Sequence, residues 1–173
     1  MISARIMKKT SDSGTIILGI DPGFGRMGYG AILHTKKEVR CLAYGCITTP
    51  SNTPLDERLL TLQTELFRIF AEIRPHSVAV EKIFFFKNKT TAIQVSHARG
   101  VILVATRSHA LPLYEVTPLQ VKQAVTGYGR AEKKQVQYMI KTLLHLSSIP
   151  KPDDAADALA IAFCASNTLH LSV

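Results

Sequence analysis

The stretch Ile16-Ile17-Leu18-Gly19-Ile20-Asp21 does most to limit what this chain can fold into. An apolar run this continuous fits a strand buried on both faces, since an exposed face would place a polar residue at every second position. Such a strand belongs inside a sheet covered by layers on both sides. It also delivers Asp21 at its end, ahead of a Pro22-Gly23 turn.

The rest of the chain reads consistently with that core strand. Gly28 to Leu33 and Val39 to Ile47 form two more strands around the polar turn His34 to Glu38, completing an antiparallel meander. Thr53, Pro54 and Asp56 make a helix-start signature, and Leu55, Leu59, Leu62, Leu66, Phe70 and Ile73 recur at helical spacing until Pro75. Ser77 to Val80 is a short strand delivering a second terminal carboxylate, Glu81. An aromatic and basic loop, Phe84 to Lys89, leads into a helix from about Thr90 to Ser108. Leu111 to Val116 is a last strand, and Pro118–Val125, Ala131–Leu146 and Pro152–Ser166 are helices. The order predicts an α/β fold, a five-stranded mixed sheet flanked by helices on both faces.

A length of 173 residues suits one domain, expected over 16–168, with 1–15 as a polar, aperiodic extension. No apolar run approaches the ~20 residues that span a bilayer, and the N-terminus lacks a signal-like apolar core. The expected location is the cytoplasm, with no membrane partner. Cys41, Cys46 and Cys164 have neither paired spacing nor nearby histidine partners, so reduced structural thiols are expected. A net charge of +8 favours a polyanionic partner.

Four carboxylates stand where apolar surroundings make them costly: Asp21, Glu81, Asp154 and Asp157. Asp154 and Asp157 are three apart in an alanine-rich helix, so they share a face that small neighbours let approach the sheet, while Asp153 should point elsewhere. Taken singly, each has an ordinary explanation. Asp154 suits the positive end of a helix, Asp157 a solvated surface, Asp21 a turn and Glu81 a wet strand end. Together they make a hard-oxygen cluster suited to Mg²⁺ or Mn²⁺, and a pair of such ions can activate water and stabilise a leaving phosphodiester oxygen.

At this point the chain resembles a family. Ile20-Asp21-Pro22-Gly23 with Gly28-Tyr29-Gly30, Val80-Glu81-Lys82-Ile83-Phe84, Ala98-Arg99-Gly100, Val121-Lys122-Gln123, Ala131-Glu132-Lys133 and Asp154-Ala155-Ala156-Asp157-Ala158-Leu159-Ala160 are similar, in order, to the RuvC resolvases. The resemblance implies a ribonuclease H-like fold and a homodimer that nicks two like strands of a four-way DNA junction symmetrically, leaving 5′-phosphate and 3′-hydroxyl ends. It places Asp21, Glu81, Asp154 and Asp157 at the acidic metal-binding and catalytic positions, with two Mg²⁺ ions expected. Some family members carry His at the position of Asp154. Phe84 matches an aromatic inserted near the junction centre, with packing into a core as its alternative. Lys122 and Lys133 match basic positions near the active site, with a solvated helix face as theirs. Lys87, Lys89 and Arg99 are further phosphate-contact candidates. Gly127-Tyr128-Gly129-Arg130 matches a short glycine-bearing connection, expected to be a flexible loop near DNA. RuvA and RuvB are the implied partners.

Three other readings compete. Gly19-Ile20-Asp21-Pro22-Gly23 also resembles the first phosphate loop of actin-like and sugar-kinase ATPases, but those need two such domains and a second glycine-rich loop. A non-catalytic junction-binding module would be expected to have lost an acidic ligand. A nuclease of the same fold acting on other structured nucleic acid is the third, because fold does not fix substrate.

Overall fold

A computed structural model describes residues 14–82 and 89–170. Strands β1 (Thr15–Asp21), β2 (Arg26–His34) and β3 (Val39–Thr48) precede helix α1 (Leu55–Ile73). Strand β4 (Ser77–Glu81), helix α2 (Lys89–Ser108) and strand β5 (Leu113–Val116) follow, then helices α3 (Pro118–Thr126), α4 (Lys133–Leu143) and α5 (Asp153–His170). The sheet order is β3-β2-β1-β4-β5. β1 pairs antiparallel with β2 and parallel with β4, so the most apolar strand is also the central one.

Side-chain alternation along β1 divides the core into two layers. Leu18 and Ile20 pack with Leu62, Leu66 and Phe70 of α1 and with Ala98 and Ile102 of α2. Ile17 faces the opposite layer, with Val121 of α3, Val136 and Ile140 of α4 and Leu159 of α5. Period-two alternation therefore turns Gly19 and Asp21 toward the α3–α5 layer. The mixed sheet with helices on both faces is the ribonuclease H-like arrangement expected.

Several boundaries differ from expectation, each for a local reason. Pro54 is extended (φ −54°, ψ 152°), so α1 begins at Leu55, Thr53 does not cap it, and Leu55 is itself exposed. Asp56 and Glu57 still occupy the first turn, where they complement the helix dipole. Pro112 has no N–H to give a ladder, and β5 starts after it. Helix α4 starts at Lys133, with Glu132 as its N-cap in a capping box with Gln135, and stops before His145, which is left-handed (φ 51°). Of the expected 1–15 extension, residues 1–13 lie outside the described residues, while Thr15 already belongs to β1.

Candidate functional site

Asp21 and Glu81 are the last residues of the adjacent parallel strands β1 and β4, which stay in register to Ile20 and Val80. Parallel neighbours end on the same sheet edge, and equal phase puts both carboxylates on the face covered by α5. Helix α5 carries Asp154 in its first turn and Asp157 one turn on. Its close approach has a cause on the sheet. A Cβ on Gly28 would lie 2.0 Å from the Asp154 carbonyl oxygen, and one on Gly19 would lie 2.1 Å from that of Ala158. These glycines form a trough into which the α5 backbone at Asp154 and Ala158 and the Ala162 methyl settle. The chain thus brings all four predicted carboxylates to one sheet edge.

The electrostatics record that convergence. Burial pushes the Asp21 carboxyl up to about 7, with Asp157, Glu81 and Asp154 adding repulsion and Lys133 partly offsetting it. Burial also raises Glu81, reinforced by Asp157 and opposed by Lys122. Asp157 is raised by burial, against a hydrogen bond from Lys133 that favours its charge. Anions crowded into a half-buried site are unfavourable unless cations cover them.

Three cations supply partial cover. Lys133 Nζ lies 2.8 Å from Asp157 Oδ2 and 3.7 Å from Asp153 Oδ2. Burial opposes the Lys133 charge, but the Asp157 hydrogen bond and surrounding carboxylates outweigh it and raise its pKa. Its place in a first helical turn, against the dipole preference, is thereby explained. Asp153, expected to point away, shares this ammonium because it stands one turn before Asp157, at i,i+4 on the same helix. Lys122 acts on Glu81 from α3. Arg26, opening β2, places Nε 3.2 Å from Asp154 Oδ2. That contact lacks hydrogen-bond geometry, so the buried Oδ2 has no donor. The sequence reading passed over Arg26, since nothing local links it to a residue more than a hundred positions away.

The other predicted contacts fall elsewhere. Phe84 and Lys87 lie outside the described residues; Lys89 opens α2, and its side chain is likewise outside them. Arg99 forms an ion pair with Glu115 of β5. Gly127-Tyr128-Gly129-Arg130, expected to be flexible, is instead tied to α3. Gly127 closes that helix at φ 72°, Gln123 Nε2 donates to its carbonyl at 2.8 Å, and Thr126 Oγ1 donates to the Tyr128 carbonyl at 3.0 Å.

All donors at the cluster are carboxylate oxygens, the set that suits a hard divalent cation. Among the described residues no three His, Cys, Asp or Glu side chains form a ready-made ion site, and two of the carboxylates are turned onto Lys133 and Arg26. The donorless Asp154 Oδ2 nonetheless fits a cation as its missing partner. A pocket of about 670 Å³ opens elsewhere, beside α3 and the C-terminal half of α5, lined by Leu119, Gln123, Tyr128, Arg130, Cys164 and Thr168. It contains no carboxylate. The chemistry sits instead on a strand-end edge.

The family model for crossover junction endodeoxyribonuclease RuvC matches residues 17–165. The chain belongs to the RuvC family. A RuvC from Desulfitobacterium hafniense is 54% identical over 156 residues, covering 90% of this chain and 94% of that protein. The Thermus thermophilus RuvC structure superposes with a TM-score of 0.85 at 34% identity, covering 91% of this chain and 97% of that one. The T. thermophilus RuvC in complex with Holliday junction substrate gives 0.83 at 31% identity, covering 91% and 96%. RuvC proteins are metal-dependent nucleases, which accords with an all-oxygen donor set.

Proposed function

We propose that this protein is a Holliday junction resolvase, an endonuclease that nicks two like strands of a four-way DNA junction in homologous recombination and DNA repair, leaving 5′-phosphate and 3′-hydroxyl ends. The observation that carries this reading is the meeting of Asp21, Glu81, Asp154 and Asp157 at one sheet edge within a chain that matches RuvC from end to end of its fold. Its nuclease domain takes in the expected 16–168, with β1 starting one residue earlier at Thr15 and α5 running on to His170.

Asp21, Glu81, Asp154 and Asp157 are the catalytic and metal-binding residues, holding Mg²⁺, two ions per site, with Mn²⁺ able to substitute. Bound there, the ions supply an activated water and Lewis-acid stabilisation of the leaving oxygen. The chain's own residues do the rest. Asp21 and Glu81, fixed by paired strands, set one side of the site, and α5 sets the other. Lys133 and Lys122 keep positive charge beside the carboxylates, where an ammonium can hold a phosphate and offset charge developing in the transition state. Phe84 stacks on an unpaired base, and Lys87, Lys89 and Arg99 add phosphate contacts; Arg99 must exchange Glu115 for phosphate to do so.

Symmetric paired nicks require two active sites related by a two-fold axis, and thus a homodimer. Of the apolar α2 positions Ile93, Val101 and Val104, Val101 packs partly against the core, while Ile93 and Val104 are 62% and 57% exposed and support that helix as the dimer surface. RuvA and RuvB are the partners, and the cytoplasm is the location. Among the described residues no helix is long and apolar enough to cross a membrane. Asp21→Asn tests the assignment: junction binding in a gel-shift assay should persist while strand cleavage is lost, and persistent cleavage would refute the role of Asp21.

A further inference from the structure

The two carboxylates of α5 are held differently. Asp157 receives a 2.8 Å hydrogen-bonded ion pair from Lys133, a residue anchored in the first turn of α4. Asp154 is approached by Arg26 at 3.2 Å from the side, without hydrogen-bond geometry, and its Oδ2 remains buried and donorless. Arg26 is fixed where it stands by the strand. It lies two residues before Gly28, whose Cα packs against the Asp154 backbone, and alternation puts Arg26 and Gly28 on the same face of β2. The Arg26 side chain is 57% exposed, against 22% for Asp154. The guanidinium therefore covers the outer side of a buried acceptor and can leave it for solvent without unfolding anything.

We propose that Arg26 is a displaceable counterion for Asp154: it covers this carboxylate before metal binding, competes with the divalent cation for it, and swings out when the ion arrives. The inference rests on the metal-site reading above. Its physical content is a competition between charges. A guanidinium beside Asp154 lowers the negative potential that attracts a divalent ion, and an ion bound at Oδ2 repels the guanidinium in turn. The geometry favours exchange here rather than at Asp157. The two cations are about equally exposed, so alignment decides: the Arg26 pair has no hydrogen bond to lose, whereas the Lys133 pair is shorter and hydrogen-bonded. Arg26 is thus a positioning residue that sets the metal concentration at which the site fills.

The test measures Mg²⁺ binding directly, by the rise of the full-length protein's melting temperature across a Mg²⁺ titration started in metal-free buffer. Arg26→Gln keeps much of the side chain's length and removes its charge; Arg26→Lys keeps the charge. The midpoint for Arg26→Gln should fall about three- to tenfold below wild type, the range expected from removing one nearby, partly screened charge. Arg26→Lys should stay near wild type. A midpoint for Arg26→Gln that is unchanged or higher, in a protein whose wild type responds to Mg²⁺, overturns the inference and leaves the metal site standing. A wild type with no Mg²⁺ response overturns the metal-site reading, and this inference with it. Equal shifts in both variants would assign the effect to packing and likewise overturn it.

Discussion

Replacing Asp21 with Asn should stabilise the metal-free protein, by an amount that grows with pH. The Asp21 carboxyl is pushed from the ordinary 3.8 to about 7, chiefly by burial and then by Asp157, Glu81 and Asp154. A group whose folded pKa is raised contributes fully below its unfolded pKa, and that contribution is lost as pH rises through the folded one. The loss begins near pH 4 and is complete a little above pH 7. A rise of about three decades in proton affinity, at roughly 1.4 kcal/mol per decade, sets a ceiling of ~4 kcal/mol at pH 8. At pH 5 the native carboxyl is still protonated, and the same linkage leaves a cost of under about 2 kcal/mol. Urea denaturation in EDTA at pH 5 and pH 8 therefore should find Asp21→Asn more stable than wild type, with the advantage widening by about 2–3 kcal/mol at the higher pH. An advantage that does not change with pH, or a variant less stable than wild type at pH 8, would refute the reasoning that crowded burial of this anion is what the site costs the fold.

Other outcomes follow from the same geometry. Gly28→Ala sets a methyl against the Asp154 carbonyl oxygen at 2.0 Å, so it should destabilise the protein by about 1–3 kcal/mol and depress cleavage by shifting α5; a neutral denaturation midpoint would contradict the trough. Lys133→Gln should lower the cleavage rate at saturating Mg²⁺ by ~10²-fold with a smaller effect on junction affinity, as measured by single-turnover kinetics beside gel shifts. Ile93→Glu combined with Val104→Glu should convert a dimer to a monomer in light scattering, and an intact dimer would move the interface off α2.

Much of this site could be read from sequence because its positions are set by local periodicity. A run apolar on both faces could only be a central strand, which fixed the end occupied by Asp21, and the spacing of Asp154 and Asp157 fixed their shared helical face. Glu81 was legible for the same reason, as the carboxylate ending the short apolar run Val78-Ala79-Val80. What escaped were contacts between segments far apart in the chain. Arg26 meets Asp154, and Arg99 meets Glu115, only because the sheet assembles them. Gly19 and Gly28 were read only as strand and motif residues, whereas their role is to let a helix backbone press against the strands. Asp153 was misjudged because its phase was taken against Asp154 alone, whereas the i,i+4 spacing makes it a neighbour of Asp157 and brings both within reach of Lys133.

The most direct test of the account is incubation of the protein with a mobile four-way DNA junction, beside duplex and single-strand controls, in Mg²⁺ and in EDTA. Paired, symmetric nicks in like strands, seen only with Mg²⁺ and yielding products that ligase can seal, are the predicted result. An intact junction beside cleavage of another nucleic acid, or junction cleavage that survives EDTA, would contradict it.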